Sequence, residues 1–151
     1  MTPSAIFQLA STLALLGWLI LLSTPLWPAR LRNRWPRLIG GILLPATLAA
    51  IYTVTLLTHW AGHAGNFNTL QGVQLLFSQP WLVLAGWVHY LAFDLFIGGW
   101  ELAQSRTRGI PHLAIVPVLL LTFFFGPIGF LAWLALRSFF PRPGATATQP
   151  A

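Results

Sequence analysis

Apolar residues fill four long stretches of this chain, and most polar positions fall between them. The first run, about 5–27, is too long for a signal-peptide core and has no basic residues ahead of it, so it reads as a retained helix. It closes at Thr24-Pro25-Leu26-Trp27-Pro28, where two prolines stop a helix and Trp27 suits a lipid interface. The second run, about 38–58, has Gly40-Gly41 near its start and Pro45 inside it; membrane helices tolerate both, because neighbouring helices re-satisfy the freed backbone. The third run covers about 81–103. The fourth, about 112–140, is longer than a perpendicular span needs and is expected to tilt or project. A membrane helix takes about 20 apolar residues. The pattern therefore predicts an all-α, polytopic membrane protein: one domain over 1–151, a bundle of four transmembrane helices, with a small polar tail at 141–151 expected to be disordered.

The stretch at 59–80 follows a different pattern. Phe67, Leu70, Val73, Leu75, Leu76 and Phe77 interleave with Asn66, Asn68, Thr69, Gln71, Gln74 and Gln79. This predicts a short amphipathic helix lying at the interface. A connection of this length in a compact bundle either covers something or spaces the helices it joins.

Composition agrees with a lipid solvent: 56% of residues are hydrophobic, 7% are charged and eight are Trp. The net charge of +6 comes from eight arginines. In a soluble chain so basic a balance would point to nucleic acid, but here the arginines flank apolar runs and orient helices, so no nucleic-acid partner is expected. Arg30, Arg32, Arg34 and Arg37 lie between the first two runs, and Arg106 and Arg108 between the last two. By the positive-inside rule both connectors are cytoplasmic, which puts the 59–80 stretch and both termini on the outer side, as in a multi-pass protein of a bacterial inner membrane. Arg137 and Arg142 count against that assignment, six arginines to two. The chain has no cysteine, so disulfides, thiolate metal sites and Cys nucleophiles are excluded.

The only two acids, Asp94 and Glu101, both belong to the third run. Seven residues apart on a helix, they return to nearly one face, offset by about 20°, and Trp87 continues that stripe. His89, five residues before Asp94, points about 140° away. An ionised Asp at the centre of a span costs about 3 kcal/mol, so Asp94 is expected to be neutral, paired or facing a cavity. A neutral carboxyl can donate a hydrogen bond or transfer a proton; read as structure alone, Asp94 would hydrogen-bond a neighbouring helix. Glu101, about 10 Å further along, lies within reach of Arg106 or Arg108 and is expected to form a helix-end salt bridge. His89 reads either as a satisfied imidazole or as a proton-transfer group.

His59 and His63 have a metal-ligand spacing, but Gly62 and Gly65 surround them and no third ligand is evident, so no metal is expected. A bis-His haem would need imidazoles at one depth on facing helices, which His59 and His89 do not offer, and no cofactor is expected. In the fourth run, Pro127 removes a backbone hydrogen bond beside Gly126 and Gly129, predicting a kink that opens carbonyls toward the third run. No Walker loop, dinucleotide fingerprint, nucleophile elbow or zincin motif occurs.

The segment Gly86-Trp87-Val88-His89-Tyr90-Leu91-Ala92-Phe93-Asp94-Leu95-Phe96, followed by Gly126-Pro127-Ile128-Gly129, resembles the abscisic-acid-deficient-four-like (neoxanthin synthase-like) family of four-helix integral membrane proteins. That family carries a W-x-H-x-x-x-x-D-L-F segment on its third span and a P-x-G element on its fourth, and the resemblance covers most of residues 36–140. Its plant members are associated with neoxanthin formation, in which an epoxide is opened to an allene bearing a new hydroxyl, an isomerisation without redox change. Such a reaction needs an acid for the ring oxygen, a base for a vinylic proton, and exclusion of water.

The resemblance therefore implies His89 and Asp94 as the catalytic pair. Trp87, Tyr90, Phe93 and Trp100, with Phe123 to Phe125, would wall a polyene. Glu101, Pro127 and Gly129 would support the site. The expectation is an intramembrane isomerase acting on a carotenoid or related isoprenoid. The alternative is a non-catalytic membrane protein that binds a lipid or isoprenoid or supports assembly of a partner. What separates them is whether Asp94 and His89 line a cavity reachable from lipid. A proton or ion carrier is disfavoured, since only one acid lies deep.

Overall fold

A computed structural model of the chain describes residues 2–32, 34–62 and 64–141. His63, Arg142 and the tail expected to be disordered at 142–151 lie outside the described residues. Among the described residues every regular element is helical.

Helix α1 (Pro3–Leu22) begins where Thr2 Oγ1 accepts the Ala5 amide at 3.3 Å and Pro3 fills the first turn, where its missing N–H costs nothing. It ends five residues earlier than the apolar run, because Thr24–Leu26 tighten into a 3₁₀ turn and Trp27 Nε1 donates to Ser23 Oγ at 3.2 Å. The second apolar run starts sooner than expected: α2 (Ala29–Arg32), α3 (Trp35–Leu38), a π-helical turn (Ile39–Leu43) and α4 (Leu44–His59) together form one apolar run over Ala29–His59. Pro45 explains the π turn. With no N–H at 45 the ladder loses a bond, and the chain widens so that the Leu44 amide reaches back to the Ile39 carbonyl.

The 59–80 stretch contains the predicted amphipathic helix, α5 (Leu70–Phe77). Thr69 Oγ1 caps it by accepting the Gly72 amide at 3.0 Å, and Asn66 Oδ1 accepts the Asn68 and Thr69 amides. Helix α6 (Pro80–Thr107) follows and forms the centre of the molecule, packed against every other long helix. Pro3–Leu22, Ala29–His59 and Pro80–Thr107 are each long and apolar enough to cross a membrane. α6 crosses the π turn at Gly99 and Gly41, where a Cβ on Gly99 would come within 2.5 Å of the Gly41 Cα. Only paired glycines allow helices this close. Leu21, Leu48, Val88, Leu95, Ile115, Leu119 and Trp133 fill the buried core around that crossing.

The fourth apolar run corrects the expectation of a single helix over 112–140. It is two helices, α7 (His112–Phe125) and α8 (Pro127–Ser138), reversed at Gly126. Gly126 has φ 41° and ψ −90°, a conformation that side-chain-bearing residues rarely adopt, and Pro127 cannot donate to the preceding turn. Three contacts show the reversal. Gly129 packs onto the Thr122 backbone, Trp133 meets Trp100 edge-on at 5.9 Å between ring centroids, and Arg108 Nη1 donates to the Phe140 carbonyl at 3.0 Å. The chain thus returns to the end of α6 from which α7 began. At 14 and 12 residues, these helices run about 21 and 18 Å, each short of the ~30 Å apolar thickness of a bilayer.

The hairpin changes which ends meet. His112 is tied to the Leu22 carbonyl at 3.0 Å, and Arg32, Arg37 and Arg106 line one cavity, so the C-terminal end of α1, the α2–α3 connector and the α6–α7 loop share an end. Arg137, at the close of α8, joins them. The N-terminus lies at the other end, with Phe7 against Trp87. The described end of α8 thus lies at the opposite end of the molecule from the N-terminus, and Arg137 lies at the same end as Arg32, Arg37 and Arg106.

Candidate functional site

α6 presents two chemically different sides. On the first, Asp94 faces the hairpin tip: a Cβ on Gly126 would lie 2.7 Å from Asp94 Oδ1, so the carboxyl occupies the space that glycine leaves open. Asp94 Oδ2 is buried and has no hydrogen-bond partner among the described residues. Tyr90, one turn earlier, has its hydroxyl beside this carboxyl and donates to the Phe124 carbonyl at 3.2 Å, joining α6 to the last turn of α7. Two turns further on, Glu101 is 0% exposed, and Thr122 Oγ1 donates to its Oε2 at 2.9 Å while also bonding the Val118 carbonyl at 3.0 Å. Glu101 Oε1 and the Trp133 indole N–H are likewise buried without partners among the described residues. Both acids thus point at the hairpin.

This corrects the helix-end salt bridge expected for Glu101. The carboxyl turns inward to Thr122, and Arg108 is engaged by the Phe140 carbonyl instead. The seven-residue spacing did place both acids on one face, as helical geometry requires.

Next to Tyr90, a cavity of about 410 Å³ opens between α1, α6 and α7, lined by Ser11, Leu15, Trp87, Tyr90, Phe123 and Phe124. Trp87 stacks on Tyr90 at 5.6 Å and its Nε1 donates to Ser11 Oγ at 3.4 Å. Phe123 meets Trp18 edge-on at 5.5 Å. The walls are aromatic and aliphatic with few polar groups, an arrangement that suits an apolar ligand; Asp94 lies behind Tyr90 and is not among the lining residues.

His89 lies on the other side of α6, as its 140° offset predicts. It stacks on Phe93 at 4.7 Å, meets Tyr52 edge-on at 5.4 Å, and lines a cavity of about 210 Å³ with Trp60, Phe67, Phe77 and Gly86 beneath α5. Phe93 also borders an apolar groove of about 400 Å³ against Pro45 and Ala49. The structure therefore brings together Asp94, Tyr90, Trp87, Phe123 and Phe124. His89 and Phe93 line other cavities, although the His89 ring remains within electrostatic reach of Asp94. Trp100 belongs to neither cavity: it packs on Phe130 and Trp133 of α8. Pro127 and Gly129 shape the hairpin, Pro127 by starting α8 and Gly129 by admitting Thr122.

Two participants are not assigned to the site by the sequence: Thr122, and Gly126, which reads there only as part of the kink and of the family element. Thr122 carried a signal, since it is the only hydroxyl side chain between His112 and Arg137. Among the described residues no three His, Cys, Asp or Glu side chains gather as a metal site; His59 instead bonds the Thr55 carbonyl and stacks on Trp81 at 3.9 Å.

Compared with known proteins, residues 5–133 match the family described as ABA4-like, ABA DEFICIENT 4-like. No curated protein and no solved structure matches the chain.

Proposed function

The chain belongs to the ABA4-like family, and from that premise we propose that it is an integral membrane protein that binds a carotenoid-like isoprenoid in the Tyr90 cavity and isomerises its oxygenated end group, with Asp94 as the proton-transfer group. In this reading α1, the Ala29–His59 run and α6 cross the bilayer, and the α7–α8 hairpin enters it and turns back at Gly126. The arginine end faces the cytoplasm of a bacterial cell, because all seven described arginines then obey the positive-inside rule.

The observation that carries the reading is Asp94 Oδ2, a buried carboxyl oxygen with no partner among the described residues, beside the hydroxyl of Tyr90, which itself lines the aromatic cavity. A buried polar atom left unpaired costs about 1–3 kcal/mol, and a ligand hydroxyl or epoxide oxygen would complete it. For an epoxide, a neutral Asp94 gives its proton to the ring oxygen as the C–O bond breaks. The carboxylate it leaves takes the vinylic proton as the allene forms. The product has the substrate's formula, and the acid is regenerated. A single carboxyl has two oxygens for the two transfers, so His89 need not share the site. Tyr90 would hold the oxygen in place, and the aromatic walls would exclude the water that would otherwise give a diol.

That His89 and Asp94 do not line one common cavity favours a second reading, a protein that binds an isoprenoid or lipid without transforming it. Pigment analysis of a host making epoxy-carotenoids, expressing wild type or Asp94→Asn at matched levels, tests the proposal. A new isomer is expected only with wild type; identical pigments from both, with wild type folded in the membrane, would refute isomerisation of those substrates.

A further inference from the structure

On the side of α6 that carries His89, two cavities follow one another along the seam with the Ala29–His59 run. The first, about 210 Å³, lies beneath α5 and is walled by Tyr52, Trp60, Phe67, Phe77 and His89. The second, about 400 Å³, is bounded by Ile42, Pro45, Ala49, Phe93 and Phe96. The two elements are antiparallel here, since Trp60 shares the first cavity with Leu82 and Ile42 shares the second with Phe96. Tyr52 and His89 stand at the join. Ala49 is about one turn from Tyr52, and Phe93 about one turn from His89. The rings tie the two cavities together: Tyr52 meets His89 edge-on at 5.4 Å and His89 stacks on Phe93 at 4.7 Å. Phe77 of α5 closes the first cavity over Gly86, where a Cβ would come within 2.5 Å of the Phe77 ring.

The seam changes character along its length. The cavity beneath α5 is walled by flat rings, with Trp60 and Phe67 stacked at 5.9 Å and 15° from parallel. At the join stand two hydrogen-bond donors, the Tyr52 hydroxyl and the N–H that an imidazole carries in either tautomer. Beyond them the walls are Ile, Pro, Ala and Phe side chains. Polar side chains at this depth are rare and costly in a span, and a histidine there marks a ligand or proton pathway. A flat ring bearing carbonyl oxygens, continued by an apolar tail, matches the three stretches in order. We propose that this seam binds a lipid-soluble quinone, with its ring beneath α5, a ring carbonyl accepting from Tyr52 and His89, and its isoprenoid tail along Ala49, Phe93 and Phe96. The seam and the Tyr90 cavity lie on different sides of α6, so quinone binding does not depend on isomerisation at Asp94.

The test titrates full-length protein in mild detergent, with adducts counted by native mass spectrometry and stability followed by thermal unfolding. The probes are decylubiquinone, which has ring, carbonyls and tail; decylbenzene, which lacks the carbonyls; and decanol, which has an oxygen and no ring. Decylubiquinone should bind and stabilise wild type, and the other two should do so far less. Tyr52→Phe and His89→Leu each remove one donor, and each is expected to lose about fivefold in decylubiquinone affinity. His89→Gln restores an N–H donor and should recover part of that loss, which keeps the test open if the leucine variant fails to fold. Ala49→Phe, which fills the groove, should also lose affinity. Thr53→Val removes an exposed α4 hydroxyl that bonds its own helix at the Ala49 carbonyl, and should bind as wild type does. Equal binding of decylbenzene or decanol, unchanged affinity in both Tyr52→Phe and His89→Leu, or no response to decylubiquinone would overturn the proposal.

Discussion

The Asp94 carboxyl rests against Gly126, the residue at which α7 reverses into α8. Glycine serves two purposes there, a backbone at φ 41° and a vacancy for Oδ1, and Gly126→Ala removes both. Positive φ alone costs an L-residue about 1–2 kcal/mol, and the new methyl would displace the carboxyl. Gly62 separates the two effects, since it has φ 78° with nothing within 4 Å. Thermal unfolding in detergent should show Gly126→Ala losing at least about 2 kcal/mol and Gly62→Ala about 1. Equal losses would mean that Asp94 does not depend on the vacancy.

The Thr122 hydroxyl is the only donor to Glu101 among the described residues. Thr122→Val keeps the shape and strands the carboxyl, so unfolding should become easier by about 1–3 kcal/mol. Thr122→Ser, which retains the hydroxyl and loses a methyl, should cost about 1 kcal/mol. If the valine variant is as stable as the serine variant, the bond contributes nothing to the fold.

Gly99 meets the Gly41 backbone at 2.5 Å from its would-be Cβ, whereas a Cβ on Gly41 would lie 3.3 Å from Gly99. Overpacking against a backbone has no flexible side chain to yield, so Gly99→Ala should destabilise by about 1–3 kcal/mol. Gly41→Ala should cost less. The comparison is a pair of melting curves, and the reverse order would place the helix crossing elsewhere.

The hairpin places the end of α8 at the same end of the molecule as the end of α6, and the proposed topology then puts both on one side of the membrane. The chain has no native cysteine, so Thr2→Cys, Thr107→Cys and Ser138→Cys can each be labelled singly with a membrane-impermeant maleimide in right-side-out vesicles. Thr107 and Ser138 should label together and opposite to Thr2. Ser138 labelling with Thr2 would restore a complete fourth crossing.

Much of this arrangement was legible in the residue pattern. The apolar runs gave three long helices, and the polar-apolar alternation after Asn66, with Thr69 as cap, gave α5. Helical periodicity alone put Asp94 and Glu101 on one side of α6 and His89 on another. Hydropathy reports length but not direction, so the fourth run read as one span although it folds back. The clues were Gly126 next to Pro127, and Arg137, which a complete crossing would leave on the wrong side. Glu101 was misread because sequence distance favoured arginines one or two turns away, whereas its partner Thr122 is 21 residues on and reached only through the hairpin.

Conversion by the purified protein tests the proposed chemistry most directly. Wild type, Tyr90→Phe, His89→Ala and Asp94→Asn, in lipid nanodiscs with an epoxy-carotenoid and no other component, would be followed by chromatography and mass spectrometry. The account predicts an isomer of unchanged mass from wild type and from His89→Ala, about 10²–10⁴-fold less from Asp94→Asn, and a smaller loss for Tyr90→Phe. Substrate that stays bound but unchanged with wild type, or equal conversion by Asp94→Asn, would contradict it.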